Sequence, residues 1–466
     1  MLRNLFYSRP LEREYLPLGT SNHARSDYLV QVNKVGNNSN KRFPAFTSTN
    51  FCWLFANSVL TTGSRWAQIL GRGWLVHNLS GGSTTAVGWI TFASFLPFVI
   101  VGPIAGALAD RFDRRKILIS GGIFGVLGAS VLAAATAVNA IQVWQVGVLA
   151  FATGCAQAIA VPTRQALIAN VVPPAHLTNA IAISATSQQG SRLLGPLFGA
   201  VFLETLGAGA VFAVSAILLA LGVYAATRLQ TSGASANSDS LDSTSSDMSS
   251  AQAFIHGIAK VGKDLADALR YIKNDRRILV VIALVGAHCS FTMAFDSMMP
   301  LLSEQITGSS SLYSSVLIGL GAGAVAGTLN VSQIRTDRAR SIAFIFAGVG
   351  SGLAMVCLGV SNGLLPIFFA STLAGWTQGS YMALSATLVQ QVVDDRFRGR
   401  VMSFYILIAA GHMALVNLVF GQLAEYIAVR VLLIVPGLIW IGIFFLSSFF
   451  SREARHVIRR GTFLSR

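Results

Sequence analysis

Residues 102–116, GPIAGALADRFDRRK, join the end of an apolar block to a strongly basic loop. Gly102 and Gly106 lie four residues apart, so a helix carries both on one face and a second helix can approach that face closely. Asp110 falls where such a helix would meet lipid headgroups, and an acid there can cap a neighbouring helix or pair with an arginine. Four basic residues follow it: Arg111, Arg114, Arg115 and Lys116. The stretch predicts a membrane helix that ends at a charged surface, although a generic basic loop is the simpler interpretation of the last three basic residues.

Composition extends this pattern to the whole chain. Of the 466 residues 53% are hydrophobic and only 11% are charged, whereas a soluble domain averages about 25% charged residues. Apolar blocks recur after residue 46, and about 20 such residues cross a bilayer. The sequence therefore predicts an all-α integral membrane protein. Twelve spans are predicted, at residues 47–77, 84–109, 117–138, 141–168, 177–204, 208–228, 277–304, 311–333, 341–360, 364–391, 400–424 and 429–450.

A polar segment separates the sixth span from the seventh. Residues 232–250 contain nine serines and three aspartates, which is typical of a flexible linker. Apolar residues then recur every three or four positions from Phe254 to Ile272, which predicts an amphipathic helix on the membrane surface. The predicted segments are a cytoplasmic disordered tail (1–46), an N-terminal six-helix half (47–229), a serine-rich cytoplasmic linker (230–252), the surface helix (253–274), a C-terminal six-helix half (275–451) and a second cytoplasmic tail (452–466).

The positive charges are distributed unevenly between the two sides of the predicted bundle. With both termini in the cytoplasm, 29 of the 34 Lys and Arg residues fall on cytoplasmic segments, and Arg430 alone falls on the opposite side. Cytoplasmic loops of membrane proteins carry such an excess, so we predict this orientation. The net charge of +15 then faces anionic lipid, and it gives no support for a nucleic-acid partner.

The loop at 106–116 resembles the signature loop between spans two and three of the major facilitator superfamily. Other stretches resemble its enterobactin-exporter-like, or transmembrane secretion effector, subgroup: 63–78 (GSRWAQILGRGWLVHN), 162–168 (PTRQALI), 179–182 (NAIA), 192–199 (RLLGPLFG) and 398–403 (RGRVMS). The resemblance runs from about residue 47 to residue 450. It implies two six-helix halves around a central cavity, alternating access and, in many members, proton-driven export across the bacterial inner (cytoplasmic) membrane.

The resemblance also implies a role for the basic loop. In the family, the acid at the position of Asp110 is thought to hold the two halves together on the cytoplasmic side. We therefore expect Asp110 to lie near Gly399, at the start of span eleven, and within ion-pair reach of Arg164. Gly102, Gly106 and the basic residues of the loop complete this predicted latch.

Span five carries Gly190, Gly195-Pro196 and Gly199. A Gly-Pro pair inside a membrane helix loosens the backbone hydrogen bonding and permits a bend. The pattern resembles the antiporter signature of the superfamily only in part, because the final double glycine of that signature is Gly199-Ala200 here. A helix-packing groove without a role in coupling is the alternative interpretation.

Polar side chains inside membrane spans are costly to bury and are therefore candidates for function. The candidates for the substrate cavity or for coupling are Arg65, Gln68, Gln157, Gln188, Arg192, His288, Asp296, Gln378, His412 and Asn417. We expect Arg65 and Arg192 to face the interior of the bundle, and Arg72, nearer the outer end, to snorkel. For the two histidines, a structural role as hydrogen-bonded side chains is the alternative to a role in coupling. Three acids at the outer ends are expected to be solvated: Glu204, Glu304 and Glu425.

Asp296 is the one carboxylate that we place clearly inside a span. An intramembrane acid that binds and releases a proton can couple transport to a proton gradient. Two alternatives remain at this point. Asp296 could pair with Arg65 or Arg72 as a static gate, or it could be a solvated residue at the outer end of its span.

The chain lacks the usual motifs of enzymes. It has no Walker A loop, no HExxH, no GxSxG and no glycine-rich loop between a strand and a helix, and its four cysteines have no metal-binding spacing. We expect no enzyme activity, no cofactor and no metal. The sequence predicts a monomeric secondary exporter of a small amphipathic compound, such as a drug or a siderophore, coupled to protons.

Two other functions remain open from the sequence. The same fold could import a small metabolite, and a strongly polar cavity with paired arginines would favour import. The chain could also be a membrane receptor or assembly factor that transports nothing, and a cavity filled with side chains would favour that interpretation.

Overall fold

The computed structural model describes residues 43–105, 112–230, 262–263 and 265–460. Within these ranges the secondary structure is helical, without a β-strand. Twelve long helices and a short C-terminal helix follow one another: α1 (Thr49–Leu79), α2 (Thr84–Ile100), α3 (Arg114–Ala137), α4 (Val143–Val171), α5 (Leu177–Leu206), α6 (Ala208–Thr227), α7 (Arg276–Thr307, interrupted near its middle), α8 (Ser311–Ser332), α9 (Asp337–Val360), α10 (Leu364–Val392), α11 (Asp395–Leu423), α12 (Val429–Phe450) and α13 (Arg452–Arg460).

Short polar side chains fix where several helices begin. Ser48 accepts a hydrogen bond from the amide of Phe51 at the start of α1, and Ser83 accepts one from the amide of Ala86 at the start of α2. The carboxylate of Asp113 caps α3 in the same way. Such caps satisfy amides that the first turn of a helix leaves unpaired. These three helices therefore begin directly after a Ser or an Asp.

Eight of the helices are long and apolar enough to cross a membrane: α3, α4, α6, α7, α8, α9, α11 and α12. Helix α2 is a shorter apolar helix. Helices α1, α5 and α10 are long enough but more polar, since α1 carries Arg65 and Arg72 and α5 carries Arg192. The predicted all-α membrane fold is confirmed. Hydropathy alone does not give twelve crossings, because these three helices bring polar side chains into the protein.

The helices pack as two six-helix halves, α1–α6 and α7–α12. Within the first half α1 packs along α5 and α6, and within the second α8 packs along α10. The main contacts between the halves are α2 with α11 and α5 with α8. The second contact is very close, since a Cβ on Gly321 of α8 would lie 2.7 Å from the carbonyl oxygen of Arg192 in α5. Only glycine permits this approach of the two backbones.

The two ends of the bundle differ in how the halves meet. We call the end at which α6 stops and α7 begins the linker end, and the opposite end the far end. At the far end one hydrophobic cluster contains residues of both halves, among them Leu203 of α5 and Leu317 of α8. At the linker end, the described buried residues form separate clusters, one around Phe51 in the first half and one around Tyr381 in the second. The halves are therefore packed together at the far end.

The predicted segments outside the two halves are described only in part. The tail 1–46 and the linker 230–252 lie almost wholly outside the described residues. Within the predicted surface helix 253–274, residues 265–274 are helical.

The C-terminal segment differs from the predicted tail 452–466. Its residues up to 460 form α13, which packs against α9 and α12. Ser341 of α9 donates a hydrogen bond to the carbonyl oxygen of Ile458, and Ala454 and Val457 are buried. The prediction missed this helix because its high charge resembled that of a solvated tail, although two small apolar residues give it a packing face.

Candidate functional site

A cavity of about 760 Å³, open to solvent, lies inside the first half among α1, α2, α3, α4 and α6. Every residue described on its wall belongs to this half. Polar positions recur every three or four residues along α1 and therefore share one face of the helix. The polar wall consists of Asn57, Thr61, Arg65, Gln68 and Arg72 from α1, Ser94 from α2, and Thr153, Gln157 and Arg164 from α4.

A second cavity of about 530 Å³ adjoins the first, among α1, α4 and α5. Arg65, Gln157 and Arg164 lie on both walls, and Gln188 of α5 lies on the second. The two cavities thus bring together six residues that the sequence singled out: Arg65, Gln68, Arg72, Gln157, Arg164 and Gln188. We call Arg65, Arg72 and Arg164 the arginine cluster.

The three arginines of this cluster have different surroundings. The guanidinium of Arg65 lies over the ring of Phe98, 4.8 Å from its centroid, and 5.8 Å from that of Phe95. Arg164 donates a hydrogen bond from Nη1 to Thr61 Oγ1 at 2.5 Å. Arg72 donates from Nε to the carbonyl oxygen of Gln68 at 3.2 Å, while its buried Nη1 has no hydrogen-bond partner.

Arg72 does not snorkel, contrary to the prediction. Its side chain is only 6% exposed and turns into the first half, beside Gln68, whose amide donates to Ser64 Oγ at 3.2 Å. The polar face of α1 explains the difference, because Gln68 and Arg72 lie one turn apart on the side that faces the cavity.

The cavities carry no balancing negative charge. No acidic side chain lies on either wall, and the acids among the described residues of the first half are only Asp113, which caps α3, and the exposed Glu204 of α5. A charged arginine inside a membrane costs at least about 2.5 kcal/mol even by lenient scales. Among the described residues, the arginine cluster is therefore a concentration of positive charge without a compensating acid.

Asp296 lies at the interruption of α7, in a short 3₁₀ turn that contacts α2 of the other half. The residue as a whole is partly exposed, and among the described residues its carboxylate has no hydrogen-bond or ion-pair partner. The charge that acts on it is Arg192 of α5, whose guanidinium lies over the ring of Trp66 at 5.0 Å. The suggested pairing of Asp296 with Arg65 or Arg72 is not made, because both arginines turn into the first half.

Gln378 and Asn417 have a different environment from the predicted cavity. Helix α7 leaves the α-helical path through a π-helical turn at Cys289–Met293 and resumes at Met299. Gln378 Nε2 donates to the carbonyl oxygen of Thr292 at 2.6 Å, and Asn417 Oδ1 accepts from the amide of Ser297 at 3.1 Å. Both side chains are buried and satisfy backbone groups that the interruption releases.

The two predicted histidines also have local partners. His288 is fully buried in the second half, where its Nε2 lies 3.1 Å from Ser351 Oγ and its ring stacks on Tyr381 at 4.2 Å. His412 is partly exposed, with its Nδ1 2.8 Å from the carbonyl oxygen of Ile408. For His288 these contacts support the structural alternative.

The predicted latch is described only in part, because Gly106, Asp110 and Arg111 lie outside the described residues. The contact expected between Asp110 and Arg164 or Gly399 therefore stays a prediction. A Cβ added to Gly102 or to Gly399 would meet no atom within 4 Å, so neither glycine is required by close packing in this conformation.

The basic residues of the loop contact the first half. Arg114 donates to the carbonyl oxygen of Ala166 at 3.4 Å, and Arg115 donates to those of Ala226 and Thr227. Lys116 is exposed. Arg114 and Arg115 thus tie the start of α3 to the ends of α4 and α6.

The glycines of span five differ in their surroundings. A Cβ on Gly195 would lie 2.5 Å from the carbonyl oxygen of Gly63 in α1, and one on Gly199 would lie 3.3 Å from Ala67 Cα. A Cβ on Gly190 would meet nothing within 4 Å. Helix α5 continues through Pro196 without interruption. Gly195 and Gly199 therefore serve the packing of α1 on α5, whatever else they do.

Sequence reasoning missed a group of contacts that join the halves at the far end. His77 Nε2 of α1 lies 2.6 Å from Glu304 Oε2 of α7. Glu425 Oε1, beyond the end of α11, accepts hydrogen bonds from Ser83 Oγ at 2.6 Å and from the amide of Thr85 at 3.2 Å. These hydrogen bonds hold the pKa of the Glu425 carboxyl below its usual range.

Two of the outer acids, Glu304 and Glu425, were expected only to be solvated, and that expectation was incomplete. Both are exposed, yet each has a partner in the other half. The sequence gives only a weak signal for these contacts, because short polar residues such as Ser83 and Thr84 also occur wherever a membrane span begins. Thr84 also donates to the carbonyl oxygen of Gly421 at 2.7 Å. We call these contacts of Glu304, Glu425 and Thr84 the far-end contacts.

The chain is similar to known proteins along most of its length. A family model described as "Transmembrane secretion effector" matches residues 41–455. Macrolide efflux protein A of Streptococcus pyogenes is 22% identical over 69% of this chain and 76% of its own length. The staphyloferrin A transporter of Staphylococcus aureus (strain NCTC 8325 / PS 47) is 20% identical over 86% of this chain and 96% of its own.

Two further comparisons bear on family and fold. An uncharacterized MFS-type transporter, YfiS of Bacillus subtilis (strain 168), is 25% identical, but the match covers 35% of this chain and only 38% of that protein. A crystal structure of a POT family transporter in complex with 5-aminolevulinic acid superposes with a TM-score of 0.68 over 87% of this chain and 97% of that one, at 12% identity. At this identity the likeness shows the fold alone.

Proposed function

The chain belongs to the transmembrane secretion effector family of the major facilitator superfamily, and on that premise we propose that it exports a small amphipathic molecule, such as a drug or a siderophore-like compound, by alternating access. The observation that carries the proposal is the family match over residues 41–455. Relatives named for macrolide efflux and for staphyloferrin A transport support the direction and the general size of the cargo. The family consists of transporters, so an enzymatic activity is not proposed.

The orientation that we propose puts the linker end in the cytoplasm. The basic excess of the predicted segments supports it, because positively charged loops remain on the cytoplasmic side of a membrane. The described conformation, with its halves packed together at the far end, then corresponds to a state closed towards the outside. Alternating access requires a second state in which the far-end contacts separate.

Proton antiport is the proposed source of energy, with Asp296 as the group that binds the proton. The supporting geometry is a partly exposed acidic residue at an interrupted helix, next to the other half. Its carboxylate has no hydrogen-bond partner in the described part of the chain, and the charge of Arg192 acts on it. Protonation neutralises Asp296 and removes its attraction to Arg192. Because α5 and α7 belong to different halves, the proton changes how strongly the halves attract each other.

The loop latch remains part of the proposal for the cytoplasmic side. Asp110 would hold the start of α11, near Gly399, when the halves close at the linker end. Arg114 and Arg115 support this by anchoring the loop to α4 and α6. We further propose a monomer in the bacterial inner membrane, with protons, the transported molecule and lipid as its partners.

Import of a small polar metabolite is the second candidate function. One observation favours it, namely the arginine cluster in a polar cavity. The cavity lies inside the first half, however, and its position does not define a direction of transport. The relatives named for macrolide efflux support export as the first candidate.

The proposal can be tested in a bacterial strain that lacks this gene. We expect the strain to be hypersensitive to macrolides or to retain its own siderophore inside the cell, and the cloned gene to reverse the defect unless a protonophore is present. A defect in the uptake of a compound would contradict export in favour of import. A defect that is not accompanied by a change in the retention of any compound would indicate a receptor or assembly factor.

A further inference from the structure

The arginine cluster takes no part in the far-end contacts or in the proposed coupling pair, Asp296 and Arg192. The described residues that line its cavity all belong to α1, α2, α3, α4 and α6, so it lies within one half and not between the halves. Asp296 and Arg192 are absent from its wall. A function for this cavity therefore has to be argued from its own residues.

Charge is the first argument. Three guanidinium groups line one cavity on which no described residue is acidic, and arginine stays protonated in proteins. The rings of Phe95 and Phe98 offset the charge of Arg65 in part, since a cation over an aromatic ring is attracted by its face. Within the described part of the chain, Arg72 and Arg164 bond to neutral groups, the carbonyl oxygen of Gln68 and the hydroxyl of Thr61. Such a cluster is stabilised when an anion enters it.

Unsatisfied hydrogen-bonding groups are the second argument. Arg72 is only 6% exposed, and its Nη1 has no hydrogen-bond partner. Guanidinium groups bind carboxylates through two parallel hydrogen bonds. The unpartnered Nη1 of Arg72 is a donor that is available to a carboxylate. Gln157 and Thr153 of α4 add neutral polar groups to the same cavity.

The shape of the cavity is the third argument. Helix α3 contributes Gly121, Gly122 and Gly125 to the wall, and α4 contributes Gly154, so this part of the wall is backbone without side chains. Phe95, Leu118 and Leu219 supply apolar surface. A ligand that fits both the apolar surface and the arginines has a flat or aliphatic body and at least one acidic group.

We propose that this cavity is a binding site for an amphipathic organic carboxylate, held by Arg65, Arg72 and Arg164. The site is separate from the contact between the halves. Its physiological meaning rests on the proposed function, because it assigns an acidic group to the exported compound. Binding itself does not depend on transport and can be measured without it.

The test compares two probes of one shape on the purified full-length chain in detergent. These probes are 2-naphthoate, which carries a carboxylate, and 2-naphthamide, which is neutral. Binding is followed by isothermal titration calorimetry at low chloride. We expect the acid to bind at least tenfold more tightly than the amide. Equal affinities would overturn the proposal without any mutation, so this arm does not depend on how variants fold.

Substitutions locate the site. Arg72→Gln and Arg65→Gln are each expected to weaken binding of 2-naphthoate about tenfold or more and to leave binding of the amide unchanged. Arg72→Lys, which keeps the charge, should recover part of the affinity. Arg228→Gln removes an exposed arginine at the end of α6 and serves as the control. Wild-type affinity in both Arg65→Gln and Arg72→Gln would contradict the assignment.

Competition separates the possible sources of an anion. Free carboxylates such as benzoate should displace 2-naphthoate. Displacement by phosphatidylglycerol micelles but not by benzoate would overturn the proposal and give the site to a lipid headgroup. If carboxylate binding holds while cells show no export, only the proposed function fails. If export holds and acid and amide bind alike, only this inference fails.

Discussion

Asp296 combines partial exposure with a position between the halves, and this makes its charge the most informative one to remove. Asp296→Asn keeps the size of the side chain and removes proton binding, so we expect proton-dependent transport to fall to background while the protein is expressed and folded. The measurement is compound efflux from cells, with membrane levels of the protein determined in parallel. Glu204→Gln, which changes an exposed acid in α5, is the control. Unchanged transport in Asp296→Asn would remove this residue from the coupling mechanism.

Asn417 is expected to matter for stability. Asn417→Ala leaves the amide of Ser297 without its acceptor at a buried position, and an unsatisfied buried donor costs about 1–3 kcal/mol. We expect a lower thermal unfolding midpoint in detergent. Gln422→Ala, at an exposed position of the same helix, should leave the midpoint unchanged. An equal midpoint for both variants would show that Asn417 does not hold the interruption of α7.

Residue types and depths could be predicted from the sequence, but the faces of the helices could not. Arg65, Gln157 and Gln378 were all expected near a cavity, because a polar residue in an apolar block must find a polar environment. Gln378 instead satisfies a backbone carbonyl in α7. That carbonyl is free only because α7 is interrupted, and the apolar run 277–304 contains no signal for the interruption until Pro300.

The packing of α1 on α5 gives a prediction for two glycines of one helix. Gly195→Ala places a methyl group 2.5 Å from the carbonyl oxygen of Gly63, and overpacking of this kind costs about 1–3 kcal/mol. Gly190→Ala meets no atom within 4 Å and should be neutral or slightly stabilising, since alanine favours helices by about 1 kcal/mol over glycine. Thermal unfolding of both variants in detergent checks the difference. If Gly195→Ala unfolds like wild type but no longer exchanges protons, the antiporter interpretation of this helix is the correct one.

The far-end contacts give a prediction for pH. Hydrogen bonds from Ser83 and Thr85 lower the pKa of Glu425, so they favour its charged form. The contact is therefore present at neutral pH and weakens as the pH falls through that lowered pKa, below the ordinary value of about 4.3. Glu425→Gln should mimic the protonated form at neutral pH. Because the group is exposed, we expect a shift of at most about 1 kcal/mol, or fivefold, in the equilibrium between closed and open far ends.

Distances between spin labels can measure this shift. Leu79→Cys and Tyr426→Cys place labels on exposed positions of the two halves at the far end, after replacement of the four native cysteines. Glu425→Gln should increase the population with a longer distance, whereas Glu204→Gln should not. Equal distance distributions in all three proteins would show that Glu425 does not hold the far end closed.

At the level of elements, the helices that could be predicted from the sequence are those with a clear pattern of apolar residues. Spans such as α3 and α12 follow from their apolar blocks, and the helix at 265–274 follows from its spacing. Helix α13 did not, because its packing face consists of Ala454 and Val457 among charged residues. The far-end contacts were also missed, because they depend on which loops meet after folding.

At the level of the whole molecule, two helix pairs join the two halves. Two six-helix halves meet through α2 with α11 and α5 with α8, and the basic segments gather at one end in the predicted topology. The arginine cluster belongs to the first half alone. The sequence contained all three arginines, but only the structure shows that they line one cavity, because α1 and α4 are separated by more than 60 residues of chain.

Transport by everted membrane vesicles tests the central claim, proton-driven export, most directly. In such vesicles the cytoplasmic face points outward, so an exporter fills the vesicle. We predict that vesicles energised to an acidic interior accumulate a radiolabelled macrolide or a labelled amphipathic carboxylate. The accumulation should collapse on addition of a protonophore and be absent in Asp296→Asn. Accumulation by right-side-out vesicles in place of everted ones, or accumulation that does not respond to the proton gradient, would contradict the account.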